Sequence, residues 1–384
     1  MQASSLFYII ISILIVSFIV DKMINILNEG YFDKKIPEKL KDIYNHDTYK
    51  KSQAYKKTSA KFSNSSSLIS IILTVTFFLI EGFAYLDRFA RSFSEHPILI
   101  ALIFFGVIIS VSEIITTPLS YYKTFVIEEK FGFNTSSKQI FWIDKIKGLL
   151  MSLVLGGGIL SIVIWFYLLT GSDFWIYSWV LVASFSLFLN MFYAKLIVPL
   201  FNKQTPLENG VLKSAIEDYS EKVGFTIHNI FIIDGSKRST KANAYFSGFG
   251  SQKRITLYDT LIHELDTDEI IAVLAHEVGH YKKNHIIFNM ITSVLLSGLT
   301  LYILSLFINS PLLSAALGVS IPSFHIGLIA FGILYTPISE ITGILMNYVS
   351  RIFEYQADNY AKETYAAVPL ICALKKLSKN LSLI

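Results

Sequence analysis

The segment His276-Glu277-Val278-Gly279-His280 sets two imidazoles at i and i+4, about 6 Å apart on one face of a helix. That spacing suits a shared tetrahedral zinc. The glutamate after the first histidine can serve as general base toward a water that the metal activates. The chemistry implied is hydrolysis of a peptide carbonyl. A surface helix with two solvated histidines is the plain alternative, and it fits poorly. Asp266 precedes Glu269 by three residues, a capping-box start, and Ile270, Ile271, Leu274, Ala275 and Val278 give the segment one apolar face.

A catalytic zinc needs a third protein ligand and an open fourth position. The acidic candidates downstream are Glu340, Glu354, Asp358 and Glu363. Glu354 and Asp358 are spaced i, i+4, so one can bind the metal while the other accepts a hydrogen bond from a ligand histidine and fixes its tautomer. His285, five residues past His280, falls off the metal face of a continuous helix and reads as an interfacial residue. His228 and His263 lack partner spacing and read as surface residues. Cys372 is the single cysteine, which excludes an internal disulfide and a thiolate zinc cluster.

The elements that must position these groups are set by composition. The 384 residues are 53% hydrophobic and 16% charged, against about 25% charged in soluble domains, and the mean hydropathy is +0.51. Seven apolar stretches, near 5–27, 66–87, 97–117, 147–170, 174–197, 286–309 and 324–349, approach the length that a bilayer core of about 30 Å requires. The first lacks a basic leader and a small-residue cleavage site and reads as an uncleaved anchor. With seven crossings, 30 of the 33 Lys and Arg fall on one side, Lys22 sits at that end of the first span, and only Arg88 and Arg91 remain for the other. The positive-inside rule makes that side cytoplasmic, with the N-terminus outside and the C-terminus inside. The same asymmetry explains the net charge of +4 without nucleic acid.

The organisation expected is five spans with cytoplasmic loops 28–65 and 118–146 over residues 1–197. A cytoplasmic α+β metalloprotease unit with the zinc helix follows over 198–285, then two spans over 286–349 and a cytoplasmic helix over 350–384. In the α+β unit, Thr226 to Asp234 reads as a buried strand. Ala242 to Phe249 and Lys253 to Tyr258 read as a hairpin about Gly250-Ser251. His280 lies six residues before the sixth span and Glu354 five after the seventh, so both sit about 8–9 Å outside the hydrocarbon. Glu81, Glu113, Asn190 and Glu340 within spans either pair between helices or line a wet cavity. Gly156-Gly157-Gly158 suggests close helix packing.

Several extended motifs occur in one order. They are Ser120 to Lys130 with Gly132-Phe133-Asn134, Pro199 to Lys203 with Thr205-Pro206-Leu207, Gly235 to Ser239, Asn243-Ala244-Tyr245-Phe246 with Gly248, residues 276–280, and Ser350-Arg351 through Glu354 to Asp358. From about the second span onward the chain resembles the type 1 CAAX prenyl proteases, integral membrane zinc metalloproteases. The resemblance implies a mostly α fold: seven transmembrane helices forming a barrel around an intramembrane chamber, with a small cytoplasmic α+β zincin-like domain. It implies one Zn2+ per chain held by His276, His280 and Glu354, Glu277 as the base, Asp358 behind a ligand histidine, and Asn243 on the substrate backbone. The implied substrate is a peptide or protein, lipidated or membrane-inserted, cut at a CAAX-type C-terminus. Family members continue to an H-P-P-like and then Arg-containing segment that helps bind substrate. Here the chain ends at Lys379 to Ile384 without it, so zinc binding is expected and turnover is the open quantity.

Two other readings compete. One is an HtpX-like quality-control protease that cuts unmodified membrane proteins. The other is a catalytically silent zinc-bound scaffold. A transporter or receptor leaves the zinc helix unexplained. Isoleucine- and lysine-rich usage points to a bacterial inner membrane, while an endoplasmic reticulum membrane obeys the same topology.

Overall fold

The computed structural model describes residues 2–32, 36, 46–225, 229–248 and 253–381. Among these, five helices are long and apolar enough to cross a membrane: Ala3–Glu29, Tyr49–Leu79, Pro97–Phe131, Lys138–Phe201 and His285–Phe307. A bent pair, Phe324–Leu334 and Thr336–Thr364, meets at 52° and makes six when taken as one span. Helices are the expected solution, because lipid offers no partner to a backbone N–H or C=O. Large apolar side chains point outward, with Ile114 71% and Ile344 69% exposed, as lipid contact demands. Phe104, Ile10 and Ile326 pack inward in one cluster, and Ile164, Phe174 and Leu304 in another.

The chain departs locally from its sequence pattern in three places. The stretch 66–87 is not one helix. It stops at Leu79, Glu81 adopts a left-handed φ of 55°, and a new helix runs Gly82–Phe93. Gly82 is required there, since a Cβ would lie 2.4 Å from the Phe77 ring. Glu81 therefore stands at the turn between the two helices. The Lys- and Tyr-rich segment from residue 46 is not a loop but the first half of helix His46–Leu79. Its Tyr55 donates to Glu128 at 2.6 Å and packs on Phe131 and Phe133, which gives the 120–134 motif a stapling role. In the glycine triplet only Gly157 meets a neighbour, Leu102 at 3.4 Å, so close packing does not extend to Gly156 or Gly158.

Of the remaining intramembrane polar residues, one pairs, one lines a cavity and one does neither. Glu113 pairs with Lys145 of a neighbouring helix at 3.2 Å. Asn190 lines a cavity of about 980 Å³ between helix Phe174–Leu196 and the sheet. Glu340 is exposed on its helix.

The sheet has four strands in the order β1-β2-β4-β3: β1 Gln204–Pro206, β2 Asn229–Ile233, β3 Ala244–Ser247 and β4 Arg254–Tyr258. β2 and β4 are parallel, in register Ile230↔Ile255 and Ile232↔Leu257. β3 pairs antiparallel with β4, and its other edge takes no strand among the described residues. The Gly250-Ser251 turn expected between them lies outside the described residues, as does His228. Against the sheet packs helix Thr267–Lys282, closed at its start by the Asp266/Glu269 capping box. Its Ile270, Ile271, Leu274, Ala275 and Val278 are buried with Ile255, Leu257 and Ile216, as their spacing predicts. A side chain such as Leu274, 3% exposed, contributes about 1.5–3 kcal/mol on burial. The buried Glu269 carboxylate also takes Lys376 at 2.6 Å, tying the last helix to this one.

Candidate metal centre

Helix Thr267–Lys282 and helix Thr336–Thr364 touch at Gly279 and Ala357. A Cβ at Gly279 would stand 3.1 Å from the Ala357 Cα, 3.2 Å from its carbonyl oxygen and 3.2 Å from the Tyr360 Cβ. These contacts, two of them with backbone, are tighter than a Cβ normally makes, so a larger residue here would push the helices apart by a few tenths of an ångström. Ala357 is fully buried at the crossing. Glu354 and Asp358, on either side of it, reach across to the two histidines.

The ligand atoms of His276, His280 and Glu354 all lie within 4.8 Å of one another. The two Nε2 atoms are 3.1 Å apart. The Glu354 carboxylate lies 3.3 Å from His276 Nε2 and 3.7 Å from His280 Nε2. Donors around a tetrahedral zinc at about 2.0–2.1 Å are separated by about 3.3–3.4 Å, so this triangle has the right edge lengths. Two imidazoles and one carboxylate also match a site with a fourth position left open.

Hydrogen bonds behind the ring nitrogens set the tautomers. His276 Nδ1 donates to Asp358 Oδ1 at 2.8 Å, since an ionised carboxylate can only accept. That leaves the Nε2 lone pair of His276 facing the triangle. His285 Nε2 donates to Gln356 Oε1 at 2.8 Å. Its Nδ1 then accepts from His280 Nδ1 at 3.1 Å, and His280 likewise presents a bare Nε2. Two lone pairs facing at this separation repel unless a cation lies between them. Burial, with His276 next to it, lowers the pKa of His280 despite the Glu354 charge, and so favours the neutral form that metal binding needs. Burial, reinforced by the Glu354 charge and opposed by His276, raises the pKa of Glu277 above the usual carboxylate value.

Of the residues read from the sequence, His276, His280, Glu354 and Asp358 lie together in one cluster. Asn243 stands at the start of the edge strand. Its side chain accepts from the Ala244 N–H at 2.9 Å, it lines the 980 Å³ cavity, and β3 packs on the helix carrying the histidines. His263 is exposed, as its isolation in the sequence suggests. His285 is not interfacial: it is 2% exposed and stacks on Phe353 with centroids 4.0 Å apart. The helix ends before it, and Asn284 takes a left-handed φ of 60°, which swings His285 back under His280. Gln356 carried no signal beyond its place between Glu354 and Asp358. Arg238, within the Gly235 to Ser239 motif, grips Asp144 through two bonds of 2.7 and 2.9 Å and binds the Phe201 carbonyl at 2.7 Å. It locks the sheet unit onto helix Lys138–Met151.

Comparison with known proteins gives a consistent set. Residues 30–203 match the family model for the CAAX prenyl protease N-terminal region, five membrane helices, and residues 206–381 match peptidase family M48. CAAX prenyl protease 1 of Saccharomyces cerevisiae is 36% identical over 377 residues, spanning 91% of this chain and 83% of that protein. The CAAX prenyl protease 1 homolog of Homo sapiens is 32% identical, spanning 90% and 82%. The crystal structure of S. mikatae Ste24p superposes with a TM-score of 0.93 at 33% identity, covering 98% of this chain and 93% of that one.

Proposed function

Because the chain belongs to the CAAX prenyl protease 1 family of M48 peptidases, and is thus an integral membrane metalloendopeptidase, we propose that it removes the C-terminal tripeptide of prenylated CAAX-type proteins at the cytoplasmic membrane face. The observation that carries the mechanism is the donor triangle. His276, His280 and Glu354 would hold one zinc ion, which supplies a Lewis acid and lowers the pKa of water. Glu277 takes the proton of the attacking water and returns it to the leaving amine, a role its raised pKa suits. Asp358 holds His276 in the tautomer that presents Nε2. Asn243 and the free edge of β3 receive the substrate backbone as an added strand, the amide donating and accepting in turn.

The fold supports seven crossings around a chamber. Lys138–Phe201 has 64 residues, about 96 Å of helix, three times a bilayer core. It turns at Gly171–Asp173, where helix Gly157–Thr170 packs back on Phe174–Leu196. Counting it as two spans and the bent pair as one gives seven. The cavity beside Asn190 opens from this wall to β3, where a lipid-linked peptide could enter from the membrane. Residues 198–285 and 350–384 then form the cytoplasmic protease unit over two groups of spans. The eukaryotic origin of the yeast and human relatives supports the endoplasmic reticulum over a bacterial membrane.

The test is cleavage of one peptide with and without a farnesyl group by the purified chain, before and after chelation. The expected result is one zinc per chain, cleavage lost on chelation and restored by Zn2+, and dependence on the prenyl group. Equal cleavage of the unmodified peptide would replace the CAAX reading with quality control. A bound zinc without any cleavage would favour the silent scaffold.

The relay behind His280 yields a further expectation. His285→Phe keeps the stack on Phe353 but removes both nitrogens. Zinc affinity should fall about 10- to 100-fold, the usual cost of losing such a partner, with little change in zinc-free melting temperature. An unchanged affinity in a metal-competition titration would show that His280 needs no support.

A further inference from the structure

Five cationic side chains converge on one pocket that no carboxylate lines among the described residues. The pocket, about 560 Å³ in volume, is bounded by Lys147, Lys195, Lys203, Lys237 and Arg254. Two of the five are held by neutral partners. Lys147 donates to the Leu200 carbonyl at 2.6 Å. Arg254 donates to the Ala194 carbonyl at 3.1 Å and to Gln204 Oε1 at 2.7 Å, and lies over the Phe231 ring. The ammonium groups of Lys195, Lys203 and Lys237 make no ion pair or hydrogen bond among the described residues. The adjacent carboxylates are already engaged. Asp144 is gripped by Arg238, and Asp234 accepts from the Asn202 amide and the Lys203 N–H. In the same wall, the Gln204 Nε2 is buried without an acceptor.

Like charges gathered in a concavity repel, and this raises the local potential for an anion. The pocket's place says which anion. Lys147 stands just before the apolar run of its helix, and Lys195 lies in the last turn of helix Phe174–Leu196. On the seven-span reading proposed above, both mark the membrane–water boundary where the sheet unit begins. Next to them Leu196 is 46% and Leu200 50% exposed, an apolar rim beside a cationic floor. A fully soluble anion has no use for that rim, whereas an acyl chain would lie along it.

We propose that this pocket binds the phosphate of an acidic phospholipid, its acyl chains running down past Leu196 and Leu200. The site is separate from the metal centre. It would join the membrane hairpin to the sheet through one lipid headgroup.

The experiment is lipid retention by the full chain in detergent, read by native mass spectrometry, with phosphatidylglycerol, phosphatidylcholine and inorganic phosphate as probes. Each basic residue near an anionic headgroup strengthens binding about fivefold. Lys195→Gln, Lys203→Gln and Lys237→Gln together should therefore weaken phosphatidylglycerol binding by about 100-fold, leave phosphatidylcholine unaffected, and leave peptide cleavage unchanged. A control carrying Lys213→Gln, Lys283→Gln and Lys362→Gln has the same net charge and should bind as the parent does. Equal loss in the control, or no preference for phosphatidylglycerol over phosphatidylcholine, would overturn the proposal. So would displacement of phosphatidylglycerol by equimolar inorganic phosphate, which would make this a free-anion site.

Discussion

Glu277→Gln should bind one zinc per chain with the parent's affinity and cleave peptide about 10²- to 10⁴-fold more slowly, the span attributed to a positioned base. The substitution preserves shape and hydrogen-bonding length. What it removes is the ability to take a proton. Glu277 lies on the motif helix but outside the donor triangle of His276, His280 and Glu354, so metal content should not follow activity. The pH profile supplies a second readout. Burial is the leading cause of the raised Glu277 pKa. As pH falls through that pKa the base becomes protonated and kcat/KM should drop. The residual activity of Glu277→Gln should lack that acid limb. Loss of zinc in the variant, or cleavage within a few fold of the parent, would remove Glu277 from the role of base.

How far the sequence discloses the site depends on where helical phase is continuous. The helix carrying the histidines was legible at its start and along its apolar face. Asp266 and Glu269 form the expected box, the apolar face is the buried one, and His276 and His280 share the opposite face. Glu354 and Asp358 were legible as a pair because i, i+4 spacing survives in any helix, and the long helix is unbroken through both. Phase arguments fail where the backbone leaves the right-handed region. Asn284 does so and brings back His285, which a continuous helix would have turned away. Glu81 does so as well, dividing an apolar stretch in which the Gly82 that follows is the one mark of a break. Neither residue is a glycine, so neither gives the usual warning. The closeness of the two helices was also hidden. The glycine inside the motif looks like an ordinary variable position until Ala357 is seen against it.

That closeness decides which carboxylate can be the third ligand, and it makes Glu354→Ala the sharper test of the metal site. Two carboxylates flank Ala357 on one helix face, yet they are not interchangeable. Asp358 lies 2.8 Å from His276 Nδ1, behind the ring, whereas Glu354 lies 3.3 Å from the Nε2 on its front. With Glu354 gone, two neutral imidazoles remain and no anion faces the cation. Asp358 cannot move forward without releasing His276. Zinc affinity should therefore fall further than the about 10- to 100-fold expected from the loss of a supporting hydrogen bond, and cleavage should vanish with the metal. The fold should not suffer. The Glu354 side chain is 56% exposed, and relieving the electrostatic pressure on Glu277 removes one cause of its raised pKa. Zinc-free melting temperatures of the parent and Glu354→Ala should thus agree within about a degree, since exposed substitutions are usually neutral. A variant that keeps one zinc at the parent's affinity would reassign the third ligand to Asp358. Loss of zinc together with a lowered melting temperature of the zinc-free chain would instead make Glu354 a structural residue of the helix crossing.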